Sequence, residues 1–567
     1  ALGTRLLFSL AEFVSASKAD LELKFHSRLL SGLSLAFAQT LFRLWFLPYD
    51  AWICFSAAVT SLWRMAVSGR NLLEWETSAQ SERKKQTLFS YYRNMWLTPL
   101  AGIILLLFSY SALSKLAGLF WIVAPVTALS LAFPLEGDKG PGRETRQYLT
   151  KCAEDIWGYF EKFCSAEDNF LPPDNFQEQP PVGIAHRTSP TNIGLMLCSC
   201  LCASELCIDK NGNAMSLIEN AVSTLEKLPR WNGHFLNWYD TRTLRPLEPK
   251  YVSTVDSGNI YASLLALKNG LCKLNHRALA SRVDALIAPM SFAPLYDAEK
   301  KLFYIGFDLE KNAPSPGHYD LMASEARLTS FIAVAKGDAP RKHWRQLSRA
   351  MLKKGGYQGM ASWTGTMFEY LMPELFLPLA RDSLLYESSK YCLFVQRSRL
   401  APTGVWGISE SAFFSLDSAL NYRYKANGCA SLALKRGQDN ELVISPYSTF
   451  LALGLDMKSA VRNLRKLESI GARGRFGFFE AVDYTSSRCR SEQGEIIRSY
   501  MAHHLGMSMI SITNCLSGGY MQKLFMLSPE MRAYDSLLHE RLPQSSSVLE
   551  LRESISEQKG GKAAKWL

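Results

Sequence analysis

The sequence predicts a mainly α-helical chain in which a hydrophobic helical membrane region precedes one large domain of paired helices closed into a toroid. Three observations predict it. From Arg143 onward, helix-length amphipathic segments of similar length follow one another, separated by loops rich in Gly, Pro, Asp and aromatics. Strand-like runs are short and few, Lys301 to Phe307 being the best. Ahead of this domain, two apolar runs come close to the roughly 20 residues needed to cross a bilayer. With 567 residues, the chain is long enough to bury a substantial core beside such a region.

Taken in order, Leu33 to Met65 is dominated by apolar and aromatic residues but interrupted by Arg43, Asp50 and Arg64. That pattern predicts an interfacial or tilted helix pair rather than a clean span. Leu97 to Leu113 and Ala117 to Phe133 predict a hairpin with Ser114-Lys115-Leu116 at its tip. Both outer flanks are basic, with Arg83, Lys84, Lys85 and Arg93 before it and Lys139, Arg143 and Arg146 after it. The positive-inside rule then puts both ends in the cytoplasm. The expected location is the inner (cytoplasmic) membrane, with the large domain facing the cytoplasm. A buried helical hairpin of a soluble protein is the alternative.

Gly137-Asp138-Lys139-Gly140-Pro141-Gly142 favours neither helix nor strand. The chain is therefore divided into residues 1–136, a linker at 137–142, and residues 143–567. Within the last part, Ser189-Pro190 offers a capping serine and a proline at the first helical position, opening a helix expected to reach Cys207. Further helices are expected over Ala214 to Leu228, Val255 to Leu271, Ala278 to Ile287, Asp320 to Ala335, Lys342 to Leu352, Ser383 to Arg397 and Ser459 to Ile470. No repeat of fixed period is present, yet the succession fits paired helices in a ring.

The formal net charge of +11 is not patterned like nucleic-acid binding. Its densest cluster, Arg83-Lys84-Lys85, lies between hydrophobic segments and suits lipid headgroups, so membrane lipid is an expected partner and nucleic acid is not. Cys198, Cys200 and Cys202 alternate in an apolar run with no His nearby, which predicts buried thiols rather than a metal site. The chain begins with Ala1 rather than Met, shows no signal-peptide pattern, and is expected to be a piece of something longer.

Among candidate functional residues, Glu410 stands out. In Gly404-Val405-Trp406-Gly407-Ile408-Ser409-Glu410-Ser411 one carboxylate follows a Gly-Trp-Gly turn, so Trp406 is expected beside the acid as an apolar wall or a sugar platform. An exposed surface turn is the plainer reading. Trp231 to Asp240 mixes flat rings with hydrogen-bonding groups, which suits a sugar's apolar faces and hydroxyls, although a turn packing two tryptophans accounts for it equally. Asp256 in Ser253 to Asn259 reads as a first-turn acid of a helix, with capping as its plain role.

Glu325, between Ser324 and Ala326, is expected on a helix, with Arg327 on a different face. Glu369, Glu480, Asp483 and the pair His503-His504 are further groups able to orient a substrate, each with a structural alternative of equal weight.

Together these motifs carry a resemblance. Thr188 to Gly194, Gly233 to Asp240, Tyr251 to Gly258, Ala323 to Arg327, Met367 to Leu371, Gly404 to Ser411, Gly477 to Thr485 and Ser499 to His504 resemble, in order, the transglycosylation domain of cyclic β-1,2-glucan synthases. The hydrophobic region resembles the membrane segment ahead of that domain. The resemblance implies an (α/α)6 toroid, linear β-1,2-glucan as substrate, and an anomer-retaining transfer that closes a ring. It implies Glu410 as nucleophile and Glu325 as general acid/base, the acid acting through a substrate hydroxyl so that the two need not be close. Trp238, Tyr239, Asp240, Asp256, His318, Glu369, Trp406, Glu480, Asp483 and His503 are the implied substrate-binding candidates, and no metal or cofactor is implied.

Phe413-Phe414 stands where Tyr-Asn is expected and Leu505 where Gln is expected, each a candidate loss of a sugar hydrogen bond. The glycosyltransferase and phosphorylase-like domains that flank this domain in full synthases are expected partners outside this chain. A β-1,2-glucan endo-hydrolase on the same toroid and a non-catalytic glucan-binding module are the alternatives.

Overall fold

The computed structural model describes residues 37–70, 87–132, 140–381, 383–489 and 491–541, with the backbone of Val548 and Leu549. Arg83, Lys84, Lys85, Phe133, Gly137, Asp138 and Lys139 lie outside the described residues, as does the start of the run expected from Leu33. Two compact units are found, Ala1–Lys139 and Gly140–Leu567.

In the first unit, helix α1 (Leu47–Trp63) continues through a π turn to Ser68, and α2 (Leu88–Asn94), α3 (Leu97–Phe108) and α4 (Ala112–Ala132) follow. Among the described residues, the two helices long and apolar enough to cross a membrane are Leu47–Ser68 and Ala112–Leu131. This corrects the expected arrangement. The Leu97 run ends after 12 residues, which at about 1.5 Å per residue falls well short of a hydrocarbon core. Ser109 to Ser111 make the hairpin turn, and Lys115 lies in the first turn of α4 rather than at a tip. The Leu47 run, expected at an interface, is one uninterrupted apolar helix because Asp50 and Arg64 fall near its two ends.

The second unit alternates outer and inner helices. Outer α5 (Arg143–Phe163), α7 (Asn213–Leu225), α9 (Arg277–Ile287), α11 (Lys342–Gln346), α13 (Leu384–Ser398) and α15 (Leu453–Ser469) alternate with inner α6 (Pro190–Glu205), α8 (Thr254–Lys273), α10 (Arg327–Lys336), α12 (Met367–Leu371), α14 (Pro446–Leu451) and α16 (Ala502–Leu516). Burial explains which are inner. Every residue of α6 from Pro190 to Ala203 is buried, whereas α5 buries one stripe through Leu149, Cys152, Ile156, Tyr159, Phe160 and Phe163. A helix apolar on all sides belongs inside, and a one-striped helix belongs outside.

Inner helices pack in the circular order α6, α8, α10 and then α12, α14, α16, with α16 returning to α6. Between α10 and α12 the buried Arg327 donates to the Tyr370 carbonyl at 2.9 Å and completes the ring. Close packing depends on small residues: a Cβ at Gly258 in α8 would lie 1.9 Å from Thr329 Oγ1 on α10. Each outer helix covers an inner one, which makes this an (α/α)6 toroid.

Most helix expectations hold to within a few residues, with two exceptions. The sequence predicts helix over Asp320 to Leu352 apart from a short break, but helix begins only at Arg327 and stops at Gln346, and Met351–Lys354 pairs as a strand with Tyr357–Met360. Ser324 Oγ takes the Ala326 amide at 3.2 Å, so a side chain competes with helix formation there. The strand expected from Lys301 is present as Leu302–Tyr304 and Gly306–Asp308. Cys198, Cys200 and Cys202 are free and buried on α6, and burial pushes the Cys202 thiol up to about 12.

Candidate active site

Loops ahead of the inner helices, with the first helical turns, carry the candidate residues. Ser189, Ser253 and Thr366 cap α6, α8 and α12, accepting from the Asn192, Asp256 and Glu369 amides. Asp256, Glu325, Glu369, Glu410 and Glu480 come from five such regions, and the other four lie within electrostatic reach of Glu410. Parallel inner helices aim their N-terminal dipoles at this end, where they favour negative charge.

Glu410 is held by a rigid turn. Gly404 has φ +75° and Gly407 φ +130°, and a Cβ on Gly407 would come within 2.8 Å of Ser448 Oγ. Gln396 brackets Ile408, accepting its amide at 2.7 Å and donating to its carbonyl at 2.9 Å. Ser411–Leu416 then enters a hairpin with Tyr422–Lys425. Glu410 is half-buried, with the Tyr424 hydroxyl near enough to its carboxylate to favour the ionised form and the Tyr447 hydroxyl donating to its carbonyl at 3.0 Å.

Trp406 is a wall and not a platform. It is 5% exposed, its backbone is clasped by Asn463 at 3.1 and 2.7 Å, and the Arg397 guanidinium lies over its ring. No ring face is left open for a sugar.

Glu325 lies in the turn before α10, half-buried, with Ser324 Oγ donating to it at 3.2 Å. Arg327 turns away to the Met322 and Tyr370 carbonyls, so it makes no ion pair with Glu325. Burial pushes Glu325 up to about 8, and the charge of Glu369, then that of Glu410, push in the same direction. Glu410 is pushed up to about 7, mainly by burial and then by Glu369, Glu480 and Asp256, while the Tyr424 hydroxyl opposes the rise.

Several expected ligands turn out to be structural. Glu369 is the capping-box acid of α12, and Ser362 Oγ, Thr366 Oγ1 and the Thr364 and Thr366 amides all donate to it. Three of these four bonds fall on Oε2 and one on Oε1, which fixes the carboxylate in place. Asp483, fully buried, takes the Phe414 and Thr485 amides and the Arg488 guanidinium. Tyr239 is buried with its hydroxyl between the Pro229 carbonyl and the Leu236 amide. Asp240 organises a turn by accepting the Arg242 and Thr243 amides. His318 pairs with Asp297 at 2.9 Å and packs on Tyr304.

Trp238, Asp256, Glu480 and His503 do come to the site. With its amide turned to satisfy both ends, Asn237 donates to Asp256 at 2.8 Å and accepts from the Trp238 indole at 3.2 Å. Thr191 also donates to Asp256, whose carboxyl is raised by burial. Glu480 takes the Ala412 amide at 3.1 Å and meets His504 Nδ1 at 2.9 Å, and burial pushes it up to about 8. His503 Nε2 is 3.4 Å from the Tyr424 hydroxyl.

Sequence reasoning does not reach Tyr319, Tyr424 and Tyr447 as site residues, and of the paired histidines it carries only His503 into the set of implied substrate-binding candidates. Tyr319 feels Glu325, Asp256 and Glu410 together, so it sits among the acids. Nothing in the sequence separates these tyrosines from core aromatics, but the paired histidines are a signal, and both members belong to the site rather than His503 alone. Of the departures, Leu505 is 5% exposed and packs in the core. Phe413 lies under the Lys425 and Arg488 cations, whereas Phe414 is exposed. Among the described residues, no group of three His, Cys, Asp or Glu is arranged to hold a metal.

Residues 317–529 match the Glycoamylase family model. Over those residues the second unit is similar to that family. The cyclic β-(1,2)-glucan synthase NdvB of Rhizobium meliloti (strain 1021) is 31% identical over 92% of this chain and 23% of its own length. The resemblance read from the motifs therefore extends over nearly the whole chain, and the chain spans about a quarter of that relative. The toroid also resembles the endo-β-1,2-glucanase from Chitinophaga pinensis, with a TM-score of 0.57 and 17% identity over 70% of this chain and 98% of the other. The endo-β-1,2-glucanase from Talaromyces funiculosus gives a TM-score of 0.55 at 15% identity, over 70% of this chain and 89% of its own. At these identities the glucanases speak for the glycoamylase-type fold alone.

Proposed function

We propose that the chain converts linear β-1,2-glucan to cyclic β-1,2-glucan by anomer-retaining transglycosylation, with Glu410 as nucleophile and Glu325 as general acid/base. The observation that carries this reading is the unequal pair of half-buried carboxylates, Glu325 raised to about 8 and Glu410 to about 7. The reading places the proton that the pair retains on Glu325, the more strongly raised of the two, and ionises Glu410. Glu410 then attacks the anomeric carbon while Glu325 supplies the leaving oxygen's proton, directly or through a substrate hydroxyl. In the second half the chain's own terminal hydroxyl gives its proton back to Glu325 and displaces Glu410. Similarity to a cyclic glucan synthase supports the substrate class.

Trp238, Asp256 through Asn237, and His503 line the sugar path in this reading. Apolar helices at Leu47–Ser68 and Ala112–Leu131 support attachment to the inner (cytoplasmic) membrane, and Arg93, Arg143 and Arg146 support a cytoplasmic toroid. Glycosyltransferase and phosphorylase-like domains of a longer synthase would supply the linear glucan and trim products.

Incubation with linear β-1,2-glucan followed by mass spectrometry tests the reading. Products one water lighter than linear chains, absent from Glu410→Gln and Glu325→Gln variants, are expected. Shorter linear chains alone would make the chain a hydrolase, the activity named for the fold's glucanase relatives.

A further inference from the structure

Glu480 is a buried acid far along the chain from Glu410, yet a continuous set of contacts joins them. Its Oε1 accepts the Ala412 amide at 3.1 Å, and its Oε2 lies 2.9 Å from His504 Nδ1. His504 Nε2 is 3.3 Å from the Tyr424 hydroxyl, which in turn lies near enough to the Glu410 carboxylate to favour its ionised form. The His504 ring cannot turn freely, since it lies flat on Tyr447 with centroids 3.6 Å apart and planes 9° from parallel.

We propose that Glu480 and His504 are positioning residues that aim the Tyr424 hydroxyl proton at Glu410. The proposal rests on Glu410 being the nucleophile.

The reasoning is one of donors and acceptors. A tyrosine hydroxyl has one proton, and a neutral imidazole donates from one nitrogen and accepts at the other. If Glu480 carries a proton, it donates to His504 Nδ1, Nε2–H donates to the Tyr424 oxygen, and the Tyr424 proton is free for Glu410. If Glu480 is ionised, Nδ1–H must point to it, Nε2 becomes an acceptor, and it draws the Tyr424 proton away from Glu410. Burial favours the uncharged form of both partners, holding Glu480 up near 8 and His504 well below its ordinary value.

The other groups around the chain are few. Glu480 is faced by His503 from α16 and by Asp174 from the segment before α6, and Asp174 is paired with Arg187. His504 is faced by Tyr447 of α14, Tyr424 of the hairpin and its neighbour His503. Of the nearby cations among the described residues, Lys425 pairs with Glu441, and Arg488 with Glu441 and Asp483, so neither is spent on Glu480.

The test uses the full chain in detergent, with kcat and KM for linear β-1,2-glucan measured across pH, and 15N NMR of labelled histidine to read the His504 tautomer. The side-chain amide introduced by E480Q keeps an oxygen for the Ala412 amide and an NH2 for Nδ1, so this variant is expected to recover most of the activity that E480A loses. E480A and H504N are expected to lose about tenfold or more in kcat with KM changed by less than about threefold. In H504N and Y424F the acid limb of kcat is expected to move to higher pH, because Glu410 loses the donor that stabilises its ionised form. His504 is expected as the Nε2–H tautomer at pH 7 in both the parent chain and E480Q.

An Nδ1–H tautomer at pH 7, equal losses in E480Q and E480A, or an acid limb unmoved in H504N and Y424F would each overturn the proposal. If E410Q turns over glucan at the parent rate, the nucleophile reading falls instead, and the tautomer measurement still decides how Tyr424 is aimed.

Discussion

Glu369 stands within electrostatic reach of Glu325 and, after burial itself, is the largest reason that Glu325 holds its proton up to about pH 8. A residue held in place by the cap of α12 and by Ser362 and Thr364 thus tunes the proposed acid. It also raises Glu410.

Glu369→Gln is therefore expected to shift both limbs of the pH–rate profile to lower pH, since a negative neighbour of both carboxylates is removed. It should also cost about 1–3 kcal/mol of stability, because the amide's NH2 meets the Thr364 amide that the carboxylate accepted. A pH profile of kcat/KM together with urea unfolding checks the two effects separately.

For the parent chain, kcat/KM is expected to follow a narrow bell. Activity rises as Glu410 ionises near 7 and falls as Glu325 loses its proton near 8. Initial rates of product formation between pH 5 and 10 would show it, and a broad plateau across that range would contradict the assignment.

Stability should fall as pH rises over the same window. Glu325, Glu410 and Glu480 all have folded values above the ordinary glutamate value of 4.5, so the folded state binds more protons than the unfolded state between those limits. Their contribution is fully present below about 4.5 and is lost as pH passes 7 to 8. Glu325→Gln, which cannot ionise, is expected to melt about 2 °C or more above the parent at pH 9 while losing roughly 100-fold or more in kcat. Thermal unfolding at pH 5 and 9 tests the sign.

Gly407→Ala places a side chain where φ is +130° and Ser448 Oγ is 2.8 Å from the new Cβ. A destabilisation of about 1–3 kcal/mol is expected, with a fall in kcat larger than any change in KM because Glu410 is displaced. Unfolding and kinetics on the same preparation would separate the two.

Some of this is legible in the sequence, and particular residues show why. Ser189-Pro190 announces the start of α6 because capping and a fixed proline φ are local physics. Glu410 can be singled out because two glycines flank its turn, and both adopt positive φ. Glu325 is legible as part of the right motif but not as part of the right element, since the competition of Ser324 for the Ala326 amide is not visible in helical periodicity.

By itself, the sequence determined that the chain is helical, which segments alternate and which short motifs hold acids, because propensity, capping and periodicity act over a few residues. Only the tertiary structure decided which polar residues serve the site. Glu369, Asp483 and Tyr239 look like ligands in sequence but are satisfied by partners in the fold. His504 and Tyr424 gain their place beside Glu410 from contacts that span most of a hundred residues. Whether a buried polar group is spent or free depends on what the ring of helices brings to it, and that is a property of packing.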